Sequence, residues 1–246
     1  MQASVDTVLR YIEDEITSGR LVAGDQVMPE RELASHLGVS RTAVREAIRV
    51  FQAQGIMTSG VGRGPASGTR ISPCPADALA TLVRLHVELG GFDLSSIMET
   101  RIALETSSAN LAADRATDEQ LTEVAALARE MARPDLDLDG FNELDTEFHI
   151  AIAHMSGNDL VTDLTHAVRV SVAAPIYRAS RELEDWEAFR RRLASEHQAL
   201  VDALRSRDAK RAAEIAEHHI RTAYSELFTS AETTSKTLAT PRHQQR

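Results

Sequence analysis

The chain has one cysteine, Cys74, in 246 residues. It therefore has no intrachain disulfide framework, and this usage fits a reducing cytosol. Aromatic residues make up only 4%, and glycine and proline thin out after the first third, a composition that favours helices over sheet. No apolar run approaches the ~20 residues of a membrane span. Asp6, Glu13, Asp14 and Glu15 interrupt the N-terminal segment too early for a secretory signal. A cytoplasmic protein without membrane attachment is expected, and no internal repeat is found. Basic charge is also in deficit, with 27 Lys and Arg against 37 Asp and Glu and a net charge of −10. The deficit is local: residues 1–72 carry eight arginines and eight acidic residues, leaving 19 basic and 29 acidic residues beyond. A neutral first part with clustered arginines can still bind nucleic acid through phosphate contacts, while the acidic remainder discourages nonspecific wrapping. Hydrophobic residues at 43% supply a core for one large domain or two small ones.

What is present is most distinctive at Ser40-Arg41-Thr42-Ala43-Val44-Arg45-Glu46. Arg41, Arg45 and Arg49 recur every four residues on one stripe of a helix, beside an apolar arc of Val44, Ala47, Ile48 and Phe51. A helix signal at Pro29–Leu37 precedes them, with Gly38-Val39 as the turn. Two short helices joined in this way read as a helix-turn-helix whose second helix enters the DNA major groove. Arginine suits both phosphates and guanine edges because its planar fork bonds bidentately. Ile56-Met57-Thr58 and Thr69-Arg70-Ile71 flank a glycine-rich stretch from Gly60 to Gly68 and suggest a hairpin, a wing with Arg63 at its tip.

A first helix is expected from near Ser4 to Ser18, and Ser72-Pro73-Cys74-Pro75 reads as a linker. The domain plan is a DNA-binding domain at 1–72, a linker at 73–77, a helical domain at 78–230 and a disordered tail at 231–246. The fold class is mainly α: a winged helix-turn-helix followed by an antiparallel all-helical bundle of six or seven helices. Helices are expected near 76–90, 94–114, 118–132, 138–156, 158–173, 175–206 (broken) and 208–230.

The bundle sequence holds a candidate metal site. Asp145 and His149 are one turn apart on a helix whose buried stripe is Phe141, Leu144, Phe148, Ile152 and Met155. His197 falls with Phe189, Leu193, Leu200 and Leu204; His219 falls with Ala212, Ala216, Ala223 and Leu227. His154, His166 and His218 point away from their stripes, and His86 reads as a packing residue. Three histidines and an aspartate turned inward from three helices would be costly to bury unpaired. A divalent transition metal (Zn above all, or Ni, Mn or Fe) would satisfy all four. Arg101 and Glu105 share the apolar face of Leu94, Ile97, Met98 and Ile102. They read either as a buried pair or as a clamp, Arg101 holding the carboxylate of a metal-bound ligand.

These residues resemble a known family. Glu30-Arg31-Glu32-Leu33-Ala34, Leu37-Gly38-Val39-Ser40-Arg41, Val44-Arg45-Glu46-Ala47-Ile48 and Gly55-Ile56 are similar to the winged helix-turn-helix of the GntR family of bacterial transcription regulators. Arg101 through Glu105, Asp145-x-x-Phe148-His149, Ser156-Gly157-Asn158, Glu196-His197 and His219-Ile220 resemble its FadR-type sensor domain. The resemblance implies a homodimer on a palindromic operator, repressing until a small organic acid binds. It implies DNA contact by Arg31, Arg41 and Arg45, with Gly62 in the wing. Ser40, Thr42, Arg49 and Arg63 complete the candidate DNA-binding set. Asp145, His149, His197 and His219 match the family's metal ligands, and Arg101 and Asn158 are the candidate effector-binding residues. The chain departs from the family at Val27-Met28-Pro29-Glu30-Arg31, where the proline is shifted by one place. A metal-dependent hydrolase, a sensor of the metal itself and a fatty-acyl sensor are the competing readings; no nucleophile or base motif accompanies the first, and a greasy tunnel has no use for inward histidines.

Overall fold

A computed structural model describes residues 2–60, 68–72 and 76–235. The chain divides into two compact units, Met1–Leu79 and Ala80–Arg246.

The first unit contains α1 (Gln2–Thr17), α2 (Glu30–Leu37), α3 (Arg41–Ala53), β1 (Met57–Gly60) and β2 (Gly68–Ile71). Gly38 ends α2 in the left-handed region at φ 64°, and its N–H and that of Val39 return to carbonyls of the last turn of α2. A residue with a Cβ would be strained there, so glycine makes the tight turn possible. Ser40 then opens α3, its hydroxyl accepting from the Ala43 N–H at 3.1 Å. Val44, Ala47, Ile48 and Phe51 pack with Val8, Ile12 and Leu33, and with Met57 and Ile71 from the two strands. β1 and β2 pair antiparallel in the register Met57↔Ile71 to Gly60↔Gly68. The wing is therefore a hairpin, and its expected tip residues Gly62 and Arg63 lie outside the described residues.

The second part of the chain carries seven helices among the described residues: α4 (Ala76–Glu88), α5 (Leu94–Arg115), α6 (Asp118–Met131), α7 (Leu138–Met155), α8 (Asp159–Arg181), α9 (Trp186–Arg205) and α10 (Ala209–Ser235). No helix among them is long and apolar enough to cross a membrane. α5 is the hub, touching α7, α8, α9 and α10. Its small buried residues Ala109, Ala112 and Ala113 join Ala212 and Ala216 of α10 in the core, and such short side chains let two helix axes come close. Asp93, Thr117, Asp137, Asn158 and Asp185 each cap the helix that follows.

Four expectations need correction. α4 begins at Ala76, inside the expected linker, and α10 runs to Ser235, into the expected tail. The helix boundary expected near residue 174 is absent, because Pro175 sits within α8, and the break expected within 175–206 falls at 182–185. A proline inside a helix removes one backbone bond, and α8 continues past it because Val172, Ile176 and Ser180 are buried or half-buried against the bundle. His86 is exposed, with its ring beside Phe92 at 5.8 Å, so it is no core residue.

Candidate metal centre and DNA-reading surface

On the first unit, Arg31, Arg41, Thr42, Arg45 and Arg49 are all exposed on α2 and α3. Arg45 lies 3.3 Å from Glu30 and Arg49 lies 2.6 Å from Glu46. Exposed pairs of this kind contribute at most ~1 kcal/mol, so either guanidinium can exchange its carboxylate for a phosphate at little cost. Ser40 is spent as the cap of α3, although its hydroxyl proton remains available to donate. The sequence stripe is reproduced: apolar residues inward, three arginines outward.

In the bundle, α7 brings Asp145 and His149 together, α9 supplies His197 and α10 supplies His219. One ligand atom from each of the four lies within 4.8 Å of the others. The three imidazoles are buried, while the Asp145 side chain keeps 21% of its surface. Two carboxylates behind the cluster orient the rings. Glu105 Oε2 lies 2.8 Å from His149 Nδ1, and Glu196 Oε2 lies 2.8 Å from His219 Nδ1. A carboxylate at Nδ1 holds the proton there and leaves the Nε2 lone pair turned to the cluster. His149 Nε2 has no hydrogen-bond partner, and neither has either ring nitrogen of His197, although His197 Nε2 sits 3.1 Å from Asp145 Oδ1. Each such orphan costs about 1–3 kcal/mol when buried.

Sequence reasoning missed Arg169. It is buried on α8 and grips Glu105 bidentately, Nε to Oε1 at 3.0 Å and Nη2 to Oε2 at 3.1 Å, while Nη1 donates to Asp145 Oδ2 at 2.8 Å. Its spacing from Thr162, Thr165 and Val172, all buried, carried the signal. Arg101 is buried as well, and its Nε donates to Glu105 Oε1 at 3.0 Å. The sequence offered a pair or a clamp; the pair is present, and Arg101 also shares a cavity wall with Asp145. Asn158 is exposed at the N-terminus of α8, accepting from the Val161 N–H at 3.3 Å. It caps a helix and is not in that wall.

The electrostatics follow from these contacts. Burial alone would raise the Glu105 and Asp145 carboxyls, but Arg169, joined at Glu105 by Arg101, holds both well below the usual carboxylate range. Burial, with Arg169 close by, pushes His149 down to about 3, and burial lowers His197 too. Two anions thus face two cations, and burial keeps His149 and His197 neutral. Three imidazoles plus one carboxylate form the donor set that divalent zinc, nickel, manganese or iron accepts. The orphaned ring nitrogens are the structural sign that this set fits a metal ion.

Comparison with known proteins agrees with this architecture. Residues 4–66 match the bacterial regulatory proteins of the gntR family, and residues 96–222 match the FCD domain. The HTH-type transcriptional regulator LutR of Bacillus subtilis is 28% identical over 193 residues, covering 77% of this chain and 85% of that protein. The galactonate operon transcriptional repressor of Escherichia coli is 28% identical over 217 residues, covering 86% and 91%. Among solved structures, Streptococcus agalactiae GntR superposes with a TM-score of 0.56 at 24% identity, over 89% of this chain and 98% of that one. With a gntR helix-turn-helix and an FCD domain that alone spans more than half of its length, the chain belongs to the GntR family of transcription regulators, in the branch that carries an FCD sensor domain.

Proposed function

We propose that this regulator is a homodimeric repressor whose affinity for a palindromic operator is set by a small organic acid bound beside a metal ion in the helical domain. Asp145, His149, His197 and His219 would hold the ion. When bound, it would act as a Lewis acid toward an oxygen of the ligand. Arg101 supplies the second hold on the acid's carboxylate, and Glu105 and Glu196 keep His149 and His219 in the tautomer that presents Nε2. On the DNA side, Arg31, Arg41, Thr42, Arg45 and Arg49, with Ser40 at the start of α3 and Gly62 and Arg63 in the wing, would make the contacts. Ligand binding changes operator affinity only through a difference in affinity between two arrangements of the dimer. The relatives named as repressors support the sign of this regulation.

The single observation that carries the metal reading is the set of buried ring nitrogens on His149 and His197 without a partner, facing Asp145 and His219. Elemental analysis of the purified protein, beside a His149→Ala/His197→Ala variant, tests it. Near-stoichiometric transition metal in the first and none in the second is expected. No metal in either, after purification without chelator and with metal offered back, would make the histidines core residues.

A further inference from the structure

Beside the histidine cluster lies a nearly enclosed cavity of about 40 Å³, with Arg101 and Asp145 in its wall. The interior around it is close-packed, so an ion reaches the cluster only where a side chain can step aside. Among the described residues, two surface depressions share wall residues with this cavity. A broad one of about 740 Å³ between α7 and α8 shares Asn142 alone. A narrower groove of about 200 Å³ between α5 and α10 shares three residues, Met98, Ile220 and Tyr224. These three side chains face the groove on one side and the cavity on the other.

They differ in their freedom to move. Ile220 is buried and β-branched, so it stands as a fixed post. Met98 is buried too, but its unbranched chain adapts to a new gap, and its sulfur meets Arg101 Nη1 only at 3.8 Å. Tyr224 is half-buried, its ring leaning on the cavity residue Phe228 at 5.2 Å. Part of that ring already meets solvent, so it can turn outward into the groove. Asn142, in the other wall, is tied to its own helix, Nδ2 donating to the Leu138 carbonyl at 2.8 Å. The mouth of the groove also carries the right charge. Glu99 is exposed there without an ion pair among the described residues, whereas Arg221 is taken by Glu217 at 2.7 Å. An unpaired carboxylate at a mouth raises the local concentration of cations.

We propose that the groove between α5 and α10 is the route by which the metal ion enters and leaves the cluster, with Tyr224 as its shutter and Met98 following. This rests on the proposed metal centre and not on the identity of the effector. A side chain that bars the way without touching the ion acts on the barrier alone. It must change entry and exit by the same factor and leave the affinity as it was. The shutter would thus set how fast the regulator follows metal supply, independently of how tightly it holds the metal.

The test uses the full-length protein and Ni²⁺. Trp186 is the chain's one tryptophan and lines the cavity, so quenching of its fluorescence by the paramagnetic ion reports arrival in stopped flow. Loss is followed after mixing loaded protein with excess EDTA, and affinity comes from competition with a chromogenic chelator. Tyr224→Ala should speed uptake and loss alike, each by roughly tenfold, with affinity unchanged within about twofold. Tyr224→Trp should slow both, and it carries the test if the alanine variant does not fold. Asn142→Ala, which thins the other wall, should change neither rate. Unchanged rates in both tyrosine variants, or faster exchange in Asn142→Ala alone, would overturn the route. Faster loss with affinity falling in step would make Tyr224 a support of the site and overturn its role as a shutter. Native protein that takes up no Ni²⁺ by elemental analysis would overturn the metal centre and this inference with it, a result distinct from bound metal with unaltered rates.

Discussion

His219 turns its Nδ1 to Glu196 at 2.8 Å, across the gap between α10 and α9, and Arg192 in turn holds Glu196 at 2.8 Å. The carboxylate decides which nitrogen of His219 carries its proton and which faces the cluster. Glu196→Ala should therefore lower metal affinity by about 10–100-fold with little change in fold, the usual effect of removing such an orienting partner. Competition against a chromogenic chelator reads this directly. An unchanged affinity would mean that His219 needs no orientation from Glu196.

Arg169 joins α8 to Glu105 on α5 and to Asp145 on α7. Removing it leaves the buried Glu105 and the half-buried Asp145 with fewer cations. Arg169→Met should cost roughly 3–5 kcal/mol of unfolding free energy, measured by urea denaturation. A loss below about 1 kcal/mol would show that water reaches and solvates this network.

Arg45 stands free of the core on α3. Arg45→Ala should weaken operator binding strongly and flatten its salt dependence, while stability changes by no more than about 0.5 kcal/mol. Fluorescence anisotropy with a labelled operator and a denaturation curve separate the two effects. Unchanged operator affinity would refute α3 as the recognition helix.

Acid should destabilise the metal-free protein. His149 and His197 are held neutral in the fold, His149 down to about 3, whereas in the unfolded chain they titrate near 6.5. Below about 6.5 the unfolded state binds more protons than the folded one, so stability falls as pH falls, by up to ~1.4 kcal/mol per pH unit for each ring. The loss continues until pH passes below the folded value. The two lowered carboxyls steepen it below about 4.5. Chemical denaturation at pH 7.5, 6 and 5 should show this slope, and His149→Gln should reduce it. Equal slopes in the two proteins would place the titrating groups elsewhere.

Much of the candidate site was legible because each helix declares its inward face. Asp145, His149, His197 and His219 were found by setting each against the apolar residues of its own helix, a test that needs only the 3.6-residue period. Arg169 passes the same test against Thr162, Thr165 and Val172, but its role is set by Glu105 on α5 and Asp145 on α7, which its own helix does not declare. What one helix cannot declare is its register against another. That Glu196 reaches His219 and that Glu105 reaches His149 depends on how α9 meets α10 and how α5 meets α7, and no single period encodes that. Asn158 is the cap of α8. A short amide before a helix satisfies the first turn whatever else is nearby, and that local backbone need accounts for its place here.

The four charges of Glu105, Asp145, Arg101 and Arg169, three of them buried, cancel before anything binds. A dication added to such a neutral interior leaves an uncompensated positive field with little water to spread it. An incoming anion relieves that field, so each partner should raise the other's affinity by the same factor, as linkage requires. A cell short of the metal would then be unresponsive to the acid, and the response threshold of the regulated genes would rise and fall with metal supply.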